Sequence, residues 1–229
     1  MRLISLNIKA TSLKIVRLVF GFLLFAVGTV CIINAKIGVS PWDVFHQGLS
    51  KLTGITLGQA SISTGVIIIA IDIYLGQPIG WSTVSNMLLI GTFIDLLMLG
   101  NLVPSPESFI PSLILLLFGI VLQGFAVFLY MPVGWGAGPR DGLMVVLMNK
   151  TGKSVRFIKS IIEIFAVSIG YLLGGNLGVG TIIFAFMTGP IWQYIFKLLK
   201  FNVNEVEHRF IQDDIKLLKE KYLNKTEAE

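Results

Sequence analysis

The chain has 229 residues, of which 54% are hydrophobic and only 14% charged, with a formal net charge of +5 and a mean hydropathy of +0.81. That much apolar side chain cannot be tucked beneath a polar surface on so short a chain, which excludes a water-soluble globule and leaves the bilayer as the solvent. Charge is also segregated: of 13 acids, Glu205, Glu207, Asp213, Asp214, Glu220, Glu227 and Glu229 crowd into the last 28 residues.

Arg2, Lys9, Lys14 and Arg17 precede or open the first apolar run, 14–35. It is long enough to cross about 30 Å of hydrocarbon, which takes roughly 20 residues. No small-x-small cleavage site follows it, so it reads as a span rather than a cleaved leader. The next segment, 41–52, opens on Ser40-Pro41-Trp42-Asp43 and closes at Gly54. Proline at the first helical position with an acid two residues on starts a helix, and about 12 residues are too few to cross. The segment therefore reads as a half-length helix, re-entrant or lying at the interface. Full-length runs follow at 57–76, 82–100 and 109–131. A second half-helix, 139–150, opens on Gly138-Pro139-Arg140-Asp141 and closes at Gly152, and runs at 155–174 and 180–199 complete the membrane region. The fold class is an all-α polytopic membrane protein with six transmembrane helices and two short re-entrant half-helices. The tail, 202–229, alternates acids and bases around Val206, Phe210, Ile215, Leu218 and Tyr222, the pattern of a short cytoplasmic amphipathic helix.

Shifting the sequence by 98 residues without a gap superposes Gly21 on Gly119, Gly38 on Gly136, Pro41 on Pro139, Asp43 on Asp141 and Gly54 on Gly152. The same offset carries Gly76 to Gly174, Gly80 to Gly178, Thr83 to Thr181 and Gly91 to Gly189. Chance matches in apolar sequence fall on Leu or Ile, whereas Gly and Pro carry backbone constraints, so the pattern reads as a duplication. Domains follow: 1–17 is a cytoplasmic segment, 18–100 the first membrane repeat, 101–201 the second and 202–229 the cytoplasmic tail. With three crossings per repeat the second copy enters from the opposite side, an inverted repeat. Basic residues agree: Arg2, Lys9, Lys14, Arg17, Arg140, Lys150, Lys153, Arg156, Lys159, Lys197 and Lys200 share the cytoplasmic face, and Lys36 and Lys51 do not. The competing reading makes the short segments full crossings, giving eight spans and parallel repeats.

The tracts Gly38-Val39-Ser40-Pro41-Trp42-Asp43 and Gly136-Ala137-Gly138-Pro139-Arg140-Asp141-Gly142, with Gly174-Gly175 and Gly178-Val179-Gly180-Thr181, resemble the YczE/YyaS/YitT-type bacterial integral membrane proteins over roughly residues 18–200. That resemblance implies a bacterial inner-membrane, multi-span protein and carries no substrate with it.

A half-helix whose N-terminus ends inside the membrane exposes unpaired N–H groups and the positive end of a dipole, which suits an anion or a carboxylate. Ser40, Trp42, Asp43, Gly138, Arg140 and Asp141 are the candidate binding residues. Arg140 has no counterpart in the first repeat, where Trp42 stands. It either strengthens such a site or is simply a cytoplasmic positive charge. Asp43 and Asp141 are also explained as helix caps. Acids inside apolar spans cost on the order of 2.5–3.5 kcal/mol at a helix centre, which makes Asp72, Asp95 and Glu163 candidates. Glu163, four residues after Lys159 and seven after Arg156, either pairs with Lys159 or carries a proton. Gln123 suits an interhelical hydrogen bond, and the Gly76/Gly80 and Gly170/Gly174 spacings suit close helix packing; Gly174, Gly175, Gly178 and Gly180 also bracket a tight connection between the last two spans, matched by Gly76 and Gly80 in the first half.

Cys31 is the only cysteine, and His46 and His208 stand isolated in the sequence. The inventory assembles no metal site and no catalytic set, so neither a catalytic residue nor a cofactor is expected and the chain reads as a non-enzyme. Thr151-Gly152-Lys153-Ser154 lacks the first glycine of a phosphate-binding loop, Leu147 standing in its place. The pI near 9.4 belongs to loops facing anionic lipid rather than to nucleic acid. The expected partners are the lipid bilayer and a small solute, with the C-terminal tail as the surface for a homodimer or protein partner. The first functional reading is a transporter or channel for a small anionic or carboxylate-bearing solute. The second is a non-transporting accessory protein that supports a partner enzyme.

Overall fold

The computed structural model describes residues 8–216, and all regular structure among them is helical. The helices are α1 (Ile8–Asn34), α2 (Pro41–Thr53), α3 (Leu57–Tyr74), α4 (Trp81–Leu99), α5 (Phe109–Tyr130), α6 (Pro139–Thr151), α7 (Val155–Leu172) and α8 (Val179–Leu198). Five segments are long and apolar enough to cross a membrane: Thr11–Asn34, Leu57–Tyr74, Trp81–Leu99, Phe109–Val133 and Val179–Leu198. α7 has the length of α3 but carries Arg156, Lys159 and Glu163.

Local chemistry sets the short connections. Ser40 caps α2, its hydroxyl accepting Asp43 N–H at 3.2 Å. Thr56 and Gln59 cap each other at the start of α3, and the Ser154 hydroxyl accepts Phe157 N–H at the start of α7. α2 and α6 both end on a left-handed glycine, Gly54 and Gly152. The tract 151–154 is thus one helix end and the next helix start.

α1 and α5 form the centre. Gly28 packs on Gly119 and Gln123, and Gly21 on Ala126 and Tyr130, so the residue numbers run in opposite directions and the two helices are antiparallel. A Cβ on Gly28 or Gly119 would fall within 2.7 Å of the other's carbonyl oxygen, so these positions fix how closely the axes cross. Phe22, Ile32, Leu116 and Ile120, all at 0% exposure, fill the space beside the crossing. α4 lies along α1 and α8 along α5. Gly180 meets Leu116 while Gly124 meets Ile195, so α5 and α8 run parallel. The short helices cross over: α2 packs on α7, and α6 on α3.

Two clasps bind these elements, and they repeat at the 98-residue offset. Ser82 N–H donates to Trp135 O at 2.7 Å, and Gly180 N–H to Ile37 O at 2.7 Å. Thr83 Oγ1 donates to Ala137 O at 2.6 Å, while Thr181 Oγ1 accepts Val39 N–H at 3.1 Å. Each loop that leads into a short helix is therefore hydrogen-bonded to the first turn of the long helix ending the other repeat. Gly38 (φ +125°) and Gly136 (φ +103°) make this approach, in a conformation that side chains resist and with Thr181 and Gly80 too near to admit a Cβ.

Three expectations change. Gly170 does let α7 approach Phe45 closely, whereas Gly76 and Gly174, with φ of +86° and +91°, turn the chain after α3 and α7, so for these two the tight connection holds and the helix-packing reading does not. Asp72 lies near the end of its span, where the sequence places it within reach of the interface, yet it is fully buried against Gly142. The tail is not one helix from residue 202: after a short turn at Val203–Glu205 it runs without regular structure to 210 and becomes helical from 211. Arg209 N–H bonds to Gly134 O at 2.7 Å and Ile211 N–H to Ile79 O at 2.9 Å. Backbone groups exposed on the loops before α4 and α6 thus pair with this strap rather than with a helix. Leu218 and Tyr222 lie outside the described residues.

Candidate solute site

Between the starts of α2 and α6 lies a cavity of about 430 Å³, inside the range of small-ligand pockets, roughly 300–1,000 Å³. Its wall consists largely of positions that correspond at the 98-residue offset: Phe25 with Gln123, Thr29 with Val127, Ser61 with Lys159, Gly65 with Glu163, Ile90 with Thr188 and Ile94 with Trp192. Ser40, Pro41, Trp42 and Asp43 likewise face Gly138, Pro139, Arg140 and Asp141 across it. All six candidate binding residues are therefore brought together, and Glu163 joins them. The other two acids are not: Asp95 accepts from Gly58 N–H at 2.8 Å and Thr56 Oγ1 at 2.5 Å, tying α4 to the start of α3, and Asp72 is sealed between α3 and α6.

The centre of the site is a relay across the two short helices. Ser40 Oγ donates to Asp43 Oδ2 at 2.5 Å, Asp43 Oδ1 faces His46 Nδ1 at 3.3 Å, and His46 Nε2 faces Arg140 Nη2 at 3.1 Å. Arginine only donates and carboxylate only accepts, so the arrangement requires a neutral imidazole with its proton on Nδ1. The Arg140 guanidinium lies 4.7 Å from the centroid of the Trp42 ring, a cation–π contact. With one nitrogen on His46 and one face on Trp42, Arg140 stands in the lining of the cavity.

Two readings of the sequence are corrected here. His46 is not isolated: it is 2% exposed and stands between Asp43 and Arg140. Its spacing of three residues from Asp43 on a helix is the available signal; the contact with Arg140 crosses between helices 94 residues apart and leaves no mark in the local pattern. The Asp43 carboxylate is not the cap of α2 either, since Ser40 performs that role and the carboxylate holds the serine hydroxyl and the imidazole.

Glu163 pairs with Lys159 at 3.7 Å in the wall. Gln123 donates through Nε2 to Thr29 Oγ1 at 3.0 Å, the expected interhelical bond, leaving its Oε1 buried without a partner. Trp192, which packs on α5 beside Gly124, is fixed by its indole N–H on Ile120 O at 3.1 Å. The cavity is thus lined by a planar cation and two indoles, and its wall holds a buried carbonyl acceptor without a partner.

The amino-acid pattern of DUF6198, a family of unknown function, matches residues 12–197. The chain belongs to this family. Among relatives it is 35% identical over 178 residues to the uncharacterized membrane protein YczE of Bacillus subtilis (strain 168), an overlap covering 76% of this chain and 81% of that protein. It is 30% identical over 182 residues to an uncharacterized protein of Haemophilus influenzae, covering 80% and 83%. Against the uncharacterized protein YyaS of Bacillus subtilis it is 24% identical over 174 residues, covering 75% and 86%. No solved structure matches. The resemblance carried by the Gly-Pro-Asp tracts is therefore correct for the YczE and YyaS proteins, and the chain is a membrane protein. The DUF6198 match contains both short helices and the whole relay, and ends before the strap.

Proposed function

We propose that this chain transports a small anionic or carboxylate-bearing solute across the bacterial inner membrane, with the site at the midplane between the N-termini of α2 and α6. The observation that carries the reading is Arg140: a guanidinium stacked on an indole, in the lining of a cavity walled by both repeats. Arginine matches a carboxylate with two parallel N–H groups. The nearby acids are engaged: Asp43 by Ser40 and His46, and Glu163 by Lys159. Asp141 lies within electrostatic reach of Arg140 and Lys159; with Asp43 and Glu163 the ionised lining holds more carboxylates than cations, so the site admits an anion only alongside compensating positive charge.

In this reading α1, α3, α4, α5, α7 and α8 cross the membrane, and α2 and α6 are re-entrant. The repeats are inverted, with both termini cytoplasmic. The antiparallel run of α1 against α5, helices at equivalent positions in the duplication, supports that arrangement, because a parallel repeat would place them side by side in the same direction. Rocking one repeat against the other around a fixed central site then exposes it to either face. The chain acts without cofactor and is not an enzyme.

Two experiments test the proposal. Single cysteines at positions 54 and 152, in a Cys31→Ala background, should react with a membrane-impermeant thiol reagent from opposite faces of the cell; labelling from one face removes the inverted architecture. Purified protein in liposomes should accumulate at least one anion from a panel of small carboxylates and inorganic anions, and Arg140→Ala should abolish that uptake while leaving the protein folded. A silent panel with folded protein overturns the transport reading and favours the accessory role.

A further inference from the structure

Resting on the anion-site reading above, we infer that His46 is the proton-coupling residue of this chain: a proton and an anion enter the site together, the imidazole taking the one and, with Arg140, holding the other.

The geometry fixes the sequence of hydrogen bonds. In the neutral state His46 Nδ1–H points to Asp43 and the Nε2 lone pair accepts from Arg140. Protonation occurs at Nε2, the nitrogen still carrying a lone pair. It turns that acceptor into a donor, so the contact with Arg140 becomes two facing donors on two cations. Such a pair does not persist at hydrogen-bond distance in a buried site unless an anion comes between them. A carboxylate bridges them, one oxygen to imidazolium Nε2–H and one to the guanidinium fork. Asp43, anchored by Ser40, continues to hold Nδ1–H, so the ring keeps its place while its far edge changes role. Nothing is oxidised and no covalent bond other than N–H forms.

The surroundings support this assignment over another titrating group. The charges acting on His46 are Asp43, from its own helix, and Arg140, from α6. The rings of Trp42 and Phe45 flank it. α7, which packs on α2, brings Lys159 and Glu163, and these are joined to each other. α3 also packs on α2, but its acid, Asp72, faces α6 at Gly142. Asp141 and Tyr130, which line the same cavity, act on Arg140, and His208 of the strap acts on Asp141. The relay is confined to the two short helices, and the equivalent of His46 in the second repeat is Met144, which cannot titrate.

Proton and anion each strengthen the other's binding by the same factor. As pH falls from the imidazole's pKa with the anion bound toward its lower pKa with the site empty, anion affinity should rise by roughly tenfold per pH unit while one proton is taken up per anion. The test uses the full chain in nanodiscs, titrated calorimetrically with lactate, pyruvate and sulfate, in paired buffers of different ionisation enthalpy between about pH 5.5 and 7.5. The wild type should take up close to one proton per anion. His46→Gln, whose amide oxygen still accepts from Arg140, should bind the anion at the wild type's high-pH affinity with no proton uptake and a flat pH profile. Should that variant not fold, His46→Met supplies the second-repeat residue and must also flatten the profile. Anion binding without proton uptake, or a variant that retains the wild-type slope, overturns the inference and leaves the anion site standing. Failure of the wild type to bind any probe at any pH overturns both.

Discussion

The two clasps give a stability prediction that follows directly from backbone distances. A Cβ at Gly80 would stand 2.6 Å from Gly136 Cα and nearer still to the Trp135 carbonyl, and one at Gly178 would stand 2.8 Å from the Ile37 carbonyl carbon. Both neighbours are backbone, so no side chain can swing aside and the loop must retreat. Retreat stretches the Ser82–Trp135 or the Gly180–Ile37 hydrogen bond. Overpacking costs about 1–3 kcal/mol and each weakened hydrogen bond about 0.5–1.5 kcal/mol, so Gly80→Ala and Gly178→Ala should each destabilise by roughly 2–4 kcal/mol. Gly152→Ala meets nothing within 4 Å and costs only the left-handed φ of +67°, about 1–2 kcal/mol. Gly189 sits within α8 with open space around it, and Gly189→Ala should be neutral or stabilising by up to about 1 kcal/mol. Thermal unfolding in one detergent, followed by fluorescence, ranks the four. If Gly80→Ala and Gly178→Ala unfold no lower than Gly189→Ala, the clasps do not hold the repeats together.

Arg140→Lys should fold but lose the guanidinium fork and its stacking on Trp42, weakening solute binding by roughly 1.5–3 kcal/mol, or about 10–150-fold; concentration-dependent uptake in liposomes reads the shift. Asp95→Ala should leave the Gly58 N–H and the Thr56 hydroxyl without their acceptor, lowering stability by about 1–3 kcal/mol with unchanged solute affinity, measured on the same preparations. The strap should loosen on acidification. Burial draws His208 below its ordinary value, with Asp141 opposing, so the docked tail binds fewer protons than the released one. Docking is then fully favoured above about 6.5 and is lost as pH falls through that value toward the lowered one. Proteolysis within 203–216 should accelerate accordingly in wild type and not in His208→Gln.

Backbone constraint is the part of this fold that is legible in the sequence. Pro41 and Pro139 announce helix starts and Gly54 and Gly152 helix ends because proline and left-handed glycine act within a residue or two, and the observed helices follow those signals closely. Interhelical chemistry is less legible. Asp72 and Asp95 look alike in a hydropathy reading, yet Asp95 is held by α3 donors whereas both Asp72 oxygens are buried without partners. Gly174 and Gly170 share a small-residue spacing, but only the second lies where another backbone passes. His46 escapes a local reading because its meaning comes from Arg140, and no local period links residues 94 apart. The strap escapes it for a related reason: its apolar and charged alternation suits a helix, while its backbone is claimed by open groups at Ile79 and Gly134.

The positions that the two repeats share and those at which they differ divide the work. Shared glycines and threonines, Gly38 with Gly136, Gly80 with Gly178 and Thr83 with Thr181, build the clasps, where only backbone and one hydroxyl matter. Around the cavity the same offset pairs Trp42 with Arg140, Ser61 with Lys159, Gly65 with Glu163 and Phe25 with Gln123, an apolar or small residue in one repeat against a polar or charged one in the other. On the proposed transport reading, a symmetric frame would make two exchanged arrangements of the repeats close in energy, as alternating access requires. The asymmetric lining would then give the solute different contacts in each, and only such a difference lets binding or a proton shift the balance between them. On this reading, making the lining more symmetric, as Arg140→Trp would do by copying position 42, should preserve the clasps and the fold while removing the means by which the solute biases one state over the other. Solute-dependent change in cysteine accessibility at positions 54 and 152 should then disappear while basal accessibility persists. Retention of the solute-dependent change in that variant would show that the bias arises elsewhere.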